Sequence, residues 1–170
     1  MIMRNYVGYH GTSKNRAQKI LSENYEPRRS IWFGKGIYFF KDDYLMAKNW
    51  AEKRFKENPS ILKSNILCNH NEVLDLTDPT GEDTRKFHTV RKKEISKNIR
   101  IRNNRYHHDE IVINFLYKEM GVKLFLINTY TYQEYDNHED KELRVSSRIP
   151  NGTEMVVKEN SIIINTREVV

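Results

Sequence analysis

Three short runs, far apart in the chain, carry residue types able to do chemistry on a small ligand: Tyr9-His10-Gly11-Thr12, Phe33-Gly34-Lys35-Gly36-Ile37-Tyr38-Phe39 and Thr153-Glu154-Met155-Val156-Val157-Lys158. A histidine before a glycine at a strand end can donate to a sugar hydroxyl. The missing side chain at Gly11 opens both its backbone amide and its carbonyl to a carboxamide, which needs both. Gly34 and Gly36 permit a close-packed backbone ahead of Tyr38, whose ring can then face a flat heterocycle. Glu154 interrupts an apolar run with a carboxylate that can bind a sugar hydroxyl. Taken singly, each also has an ordinary reading: a half-buried turn histidine, a core tyrosine, an exposed strand glutamate.

These residues need strands and helices to hold them. Tyr6 to His10 reads as a strand, with Ser13 as N-cap of a helix that buries Ala17, Ile20 and Leu21. A polar loop through Pro27 to Ser30 leads to a second strand, Gly36 to Phe40. Asp42 or Asp43 then caps a helix whose buried stripe is Leu45, Trp50, Ala51 and Phe55, ended by Asn58-Pro59. Asn65 to Cys68 and Glu72 to Leu76 read as two strand pieces, stopped at Thr77-Asp78-Pro79. A basic helical stretch follows, then a buried helix from Asp109 to Met120 closed by Gly121, and a β-rich run from Val122 to Thr131. After an acidic interruption from Gln133 to Glu142, the runs Met155 to Val157 and Ser161 to Ile164 read as a hairpin or bulged strand pair. Helices early and strands late predict an α+β fold.

In this chain order the three runs resemble the poly(ADP-ribose) polymerase type of ADP-ribosyltransferase, whose triad is read as His, Tyr and Glu. Gly34 to Phe39 is similar to the family's tyrosine strand nearly letter for letter, Glu154 to Val157 to its glutamate strand, and His10-Gly11-Thr12 to its His-Gly-Ser/Thr opening. The resemblance covers about a third of the residues. It implies one catalytic domain over 1–170, with a split, antiparallel-rich β core flanked by helices and NAD as co-substrate. It further implies that His10 bonds the adenosine-ribose side, that Gly11 bonds the nicotinamide amide through its backbone next to Thr12, and that Tyr38 stacks on the nicotinamide. Trp50 stands nearest to the family's second stacking aromatic. The family's carboxamide-binding serine has no counterpart hydroxyl except Tyr44, and Arg28 or Arg29 is similar in position to an arginine near the adenosine half. As nicotinamide leaves, the ribose gains oxocarbenium character, and Glu154 on the 2′-hydroxyl would stabilise that charge.

Composition bounds the setting. A 170-residue chain with 38% hydrophobic residues can bury a core without staples. The single Cys68 makes no internal disulfide, no apolar run reaches membrane-spanning length, and the start of the chain has no secretory apolar core, so a cytoplasmic protein without a membrane partner is expected. The net charge is +6, yet Arg85 to Arg105 alone holds nine Lys or Arg against Glu94, leaving the remainder acidic. That concentration favours an anionic partner, and nucleic acid over protein as acceptor, although a solvated surface reads the same way. With no room for regulatory domains, the expected reaction is mono-ADP-ribosylation, in a toxin or antiviral defence setting compatible with an inhibitory partner protein. The rival readings are a protein-directed transferase, an NAD-dependent RNA 2′-phosphotransferase, and a silent module binding NAD or ADP-ribose. No metal is expected: His107-His108, or Cys68 with His70, lacks the convergent ligands zinc requires.

Overall fold

The computed structural model describes residues 2–30, 33–97, 107–130 and 149–169. The acidic 133–142 stretch, residues 98–105 of the basic segment and the side chains of His107 and His108 lie outside the described residues. In chain order the elements are β1 (Met3–Ser13), α1 (Lys14–Glu23), β2 (Arg28–Ser30), β3 (Gly34–Lys41), α2 (Tyr44–Arg54), β4 (Pro59–Asn69), β5 (Val73–Asp75), α3 (Glu82–Lys97), α4 (His107–Met120), β6 (Leu124–Thr129), β7 (Gly152–Val157) and β8 (Ile163–Val169). The architecture is α+β: a mostly antiparallel sheet of eight strands with four helices among the described residues. Among the described strands, β5 and β6 alone pair in parallel.

The strands lie in the order β5-β6-β7-β3-β1-β4-β8, with β2 added on β3. The join at the middle decides the shape. All of β1 from Met3 to Ser13 pairs with β4, but β1 meets β3 only at Gly8↔Lys41 and Tyr9↔Phe40. Beyond Tyr9 the two strands diverge, so β8-β4-β1 and β3-β7-β6-β5 form two halves that share a short seam. The seam is tight because a Cβ at Gly8 would lie 2.7 Å from Met155 Cε and 2.9 Å from Phe39 Cβ.

Side-chain alternation along the strands sends apolar residues to both faces. Ile37, Phe39, Leu62, Ile66, Met155 and Val157 form one core with Ala17 of α1 and with Tyr25. Leu74, Phe125, Ile127 and Val156 pack on the other face against Phe87 of α3 and Val112, Ile113 and Leu116 of α4. α2 covers a third cluster with Phe40, Met46, Ala47 and Ile61.

Several expectations change. Arg28 to Ser30 is an edge strand on β3, not a loop. In α1, Ala17 is buried and Ile20 partly so, but Leu21 is 45% exposed; in α2 the buried stripe is Met46, Ala47 and Ala51, while Leu45 and Trp50 are exposed. The helical period holds but its phase is shifted, because Gly11 lets α2 sit against β1 through its small residues. Asn65 to Cys68 belongs to one long strand beginning at Pro59. The final two strands are not a hairpin: β7 pairs with β3 and β6 in one half, β8 with β4 at the far edge of the other.

Candidate active site

A cavity of about 440 Å³ opens where β1 and β3 diverge, and His10, Tyr38 and Glu154 all line it. The seam explains how they meet. β1 supplies His10 just after its last pairing with β3, and β3 supplies Tyr38 two residues before its own. Glu154 on β7 lies opposite Phe40 and Ile127, in the strand next to β3.

The His10 ring bridges the split. Its Nδ1 donates to the Tyr38 carbonyl at 2.7 Å, and since a carbonyl only accepts, the proton must sit on Nδ1. The ring stands edge-on to Tyr25 and Phe39, with centroids 5.4 and 5.8 Å away. Burial depresses the imidazole pKa below its ordinary value, against the pull of the Tyr38 bond, and the charges of Arg28 and Arg16 push the same way as burial. A neutral ring with Nδ1 committed leaves Nε2 as an acceptor, which reverses the expectation that His10 donates to a sugar hydroxyl. A hydroxyl bound at that nitrogen would have to donate to it.

Gly11 plays two parts. Its missing side chain is filled from within, since a Cβ there would overlap the Ala47 carbonyl oxygen and lie 3.1 Å from Trp50 Cδ1 and 3.2 Å from Ala51 Cβ. The glycine therefore admits α2 and not a ligand. Its peptide groups serve the cavity. The Asp42 amide donates to the Val7 carbonyl at 3.0 Å, so odd-numbered residues of β1 turn their N–H and C=O toward β3. The unbroken β1–β4 register carries that alternation to Gly11, where β3 has already diverged. Both groups a carboxamide requires face the split.

Tyr38 packs partly against the α3–α4 core and lines the cavity as well. Its hydroxyl donates to the Gly34 carbonyl at 2.7 Å, and burial raises its pKa well above the usual phenol value, helped by the charges of Glu154 and Glu110. It is a neutral, fixed ring. Glu154 is half-buried, and Thr129 Oγ1 of β6 donates to its Oε1 at 2.6 Å, which aims the carboxylate.

Of the other expected residues, Thr12, Arg28, Arg29 and Trp50 line the cavity. Arg29 is paired with Glu110 of α4 at 2.9 Å. Trp50 sits beside Gly11 at 42% exposure with the Arg54 guanidinium 5.8 Å from its ring centroid. Tyr44 is not among the lining residues: its ring packs edge-on to Tyr9 at 5.9 Å, within the α2 cluster, so it supplies no carboxamide hydroxyl. Sequence reasoning missed Arg16 and Lys19 of α1, Tyr25, Arg54 and Phe55. The helical spacing of Arg16, Lys19 and Ile20 was the available clue, since a helix that buries Ala17 turns them toward the strand end that feeds it. Among the described residues no three His, Cys, Asp or Glu side chains gather as metal ligands, and no helix is long and apolar enough to cross a membrane.

No protein-family model matches the sequence. An uncharacterized protein of Methanocaldococcus jannaschii is 28% identical over 151 residues, which cover 77% of this chain and 70% of that protein.

Proposed function

We propose that the chain is a mono-ADP-ribosyltransferase of the His-Tyr-Glu type, which cleaves NAD at the nicotinamide–ribose bond and passes ADP-ribose to a macromolecular acceptor. One observation carries the reading: His10, Tyr38, Glu154 and the outward peptide of Gly11 surround a single cavity at the split of the sheet. A 440 Å³ cavity lies in the range of small-ligand sites.

In this reading the Gly11 amide and carbonyl take the carboxamide, and Tyr38 and Trp50 bracket the nicotinamide ring. His10 Nε2 accepts from a hydroxyl of the adenosine ribose. Glu154, aimed by Thr129, bonds the 2′-hydroxyl of the nicotinamide ribose, where its charge counters the oxocarbenium ion that forms as nicotinamide departs. The same carboxylate draws the proton from the acceptor hydroxyl, a general-base role worth about 10²–10⁴-fold. The acceptor is nucleic acid in preference to protein. α3 supports this: Arg85, Lys86, Lys92 and Lys93 are exposed along its outer face, opposite buried Phe87 and Glu94.

The test is nicotinamide release from NAD by the native chain and by Glu154→Gln, with labelled ADP-ribose followed into nuclease-sensitive or protease-sensitive material. Release that falls at least about 100-fold in the variant supports the reading. Equal release from both removes Glu154 from it, and label held only by protein overturns the choice of nucleic acid.

A further inference from the structure

A single hydrogen bond does not orient a ring. The Tyr38 carbonyl anchors the His10 imidazole at Nδ1, and about that anchor the ring could still turn and swing Nε2 away from the cavity. Packing against other rings removes this freedom. Tyr25 stands at 84° to the imidazole with centroids 5.4 Å apart, and Phe39 at 62° and 5.8 Å. Phe39 lies within β3, where pairing with β7 holds it. Tyr25 lies in the connection between α1 and β2 and lines the cavity, so its own position has to be secured by other means.

The fold secures it from several sides. The chain leaves α1 through Asn24 at φ +75°, a left-handed conformation that is costly for a residue with a side chain, and Tyr25 is then 5% exposed against Phe39, with ring centroids 5.1 Å apart. Asn160, between β7 and β8, donates from Nδ2 to the Tyr25 backbone carbonyl at 2.7 Å. The phenol is hydrogen-bonded to Ser64 Oγ of β4 at 2.9 Å, and Ser64 Oγ to Thr166 Oγ1 of β8 at 2.8 Å. Thr166 falls opposite Ser64 in the register of Leu62↔Glu168 and Lys63↔Arg167, and Asn165 at φ +53° breaks that register one residue beyond. A phenylalanine would fill the same space. The hydroxyl row instead ties the ring to two strands of the half that carries His10. Burial pushes the phenol pKa up to about 12, so the hydroxyl keeps its proton at neutral pH.

We infer that Tyr25 is the positioning residue for His10: its ring, held by the Ser64 and Thr166 hydroxyls, sets the plane of the imidazole and with it the direction of Nε2. The consequence for turnover rests on the ADP-ribosyl-transfer reading, which places a hydroxyl of the adenosine ribose at that nitrogen. This ribose is remote from the bond that breaks, so a misaimed Nε2 weakens capture of the dinucleotide more than it slows the chemical step.

Tyr25→Phe tests this, because it keeps the ring and leaves Ser64 and Thr166 to satisfy each other. Nicotinamide release from NAD is measured in the native chain, Tyr25→Phe, His10→Ala and the double variant, and NMR follows exchange of the His10 Nδ1 proton with solvent in the native chain and Tyr25→Phe. Tyr25→Phe is expected to raise KM about 3- to 10-fold, the size of one lost hydrogen bond, with kcat changed less than about twofold. Exchange of the Nδ1 proton is expected to quicken about 10-fold or more. On the His10→Ala background the same substitution should add nothing, because the group it aims is gone. An unchanged KM, an equal rise on both backgrounds, or native exchange in Tyr25→Phe overturns the assignment and leaves the transferase standing. If the native chain releases no nicotinamide, the transferase reading fails, and exchange alone decides: quickened, Tyr25 holds the imidazole; native, it does not.

Discussion

His10 Nδ1 donates to the backbone carbonyl of Tyr38 at 2.7 Å, across the point where β1 and β3 part. That hydrogen bond continues the two-residue seam between the halves of the sheet and fixes the tautomer of the imidazole where it lines the cavity.

The ring's burial, opposed by that bond, sets a pH dependence. Folding lowers the His10 pKa below its ordinary 6.5, so below that value the unfolded chain binds more protons than the folded one. The contribution is complete above 6.5 and is lost as pH falls toward the folded value. We expect Tm to drop between pH 7 and pH 5, more steeply in the native chain than in His10→Gln, which lacks this one titrating side chain and keeps the other histidines. Parallel Tm profiles would contradict it.

Thr129 should matter for rate and not for binding. Its hydroxyl donates to Glu154 Oε1 at 2.6 Å. Thr129→Val keeps the shape and removes the donor, so the expected result is a kcat about 10-fold lower with KM changed less than about threefold, against the larger loss in Glu154→Gln. Steady-state nicotinamide release measures both constants. A threonine that only filled space would leave kcat untouched.

The glycines separate packing from backbone strain. Gly11→Ala places a Cβ on the Ala47 carbonyl oxygen, and the overlap is expected to cost about 3 kcal/mol, since a main-chain atom of α2 must move. Gly121, at φ +69°, has nothing within 4 Å of its would-be Cβ, so Gly121→Ala should cost only about 1 kcal/mol of left-handed strain. Urea denaturation of the two variants ranks them, and the reverse order would refute the assignment of Gly11 to helix packing.

Lys158 gives a second titration with the same sign at higher pH. Its Nζ donates to the Lys35 carbonyl and to Asn114 Oδ1 at 3.3 Å, and lies 5.6 Å from the Tyr117 ring centroid. Burial pulls its pKa down to about 8, whereas the unfolded lysine titrates near 10.5. Between those values the unfolded state binds more protons, so stability attributable to Lys158 rises with pH from about 8 to 10.5. Comparing urea midpoints of the native chain and Lys158→Met at pH 8 and pH 10 reads it. A constant difference would exclude the linkage.

The sequence by itself determined the strands and helices that bear the three motifs. Gly36 to Phe40, the Asp43-capped helix and Asp109 to Met120 were readable from period, cap and stop residues, which are local properties of the chain. His10, Tyr38 and Glu154 each also read as ordinary strand or turn residues, and only the resemblance of three ordered runs singled them out together. Tertiary structure decided which strands are neighbours, and with them the roles. Adjacency in the chain suggested a hairpin at the C-terminus, but pairing across the whole sheet sent β7 to the Tyr38 strand and β8 to the opposite edge. Periodicity fixed that α2 has an apolar stripe, but the small surface at Gly11 chose which residues fill it, burying Ala47 and Ala51 and leaving Trp50 at the cavity and Tyr44 beside Tyr9. The His10 tautomer is set only where β1 and β3 separate. No local pattern encodes that separation, because it is set by twist and packing summed over strands distant in sequence.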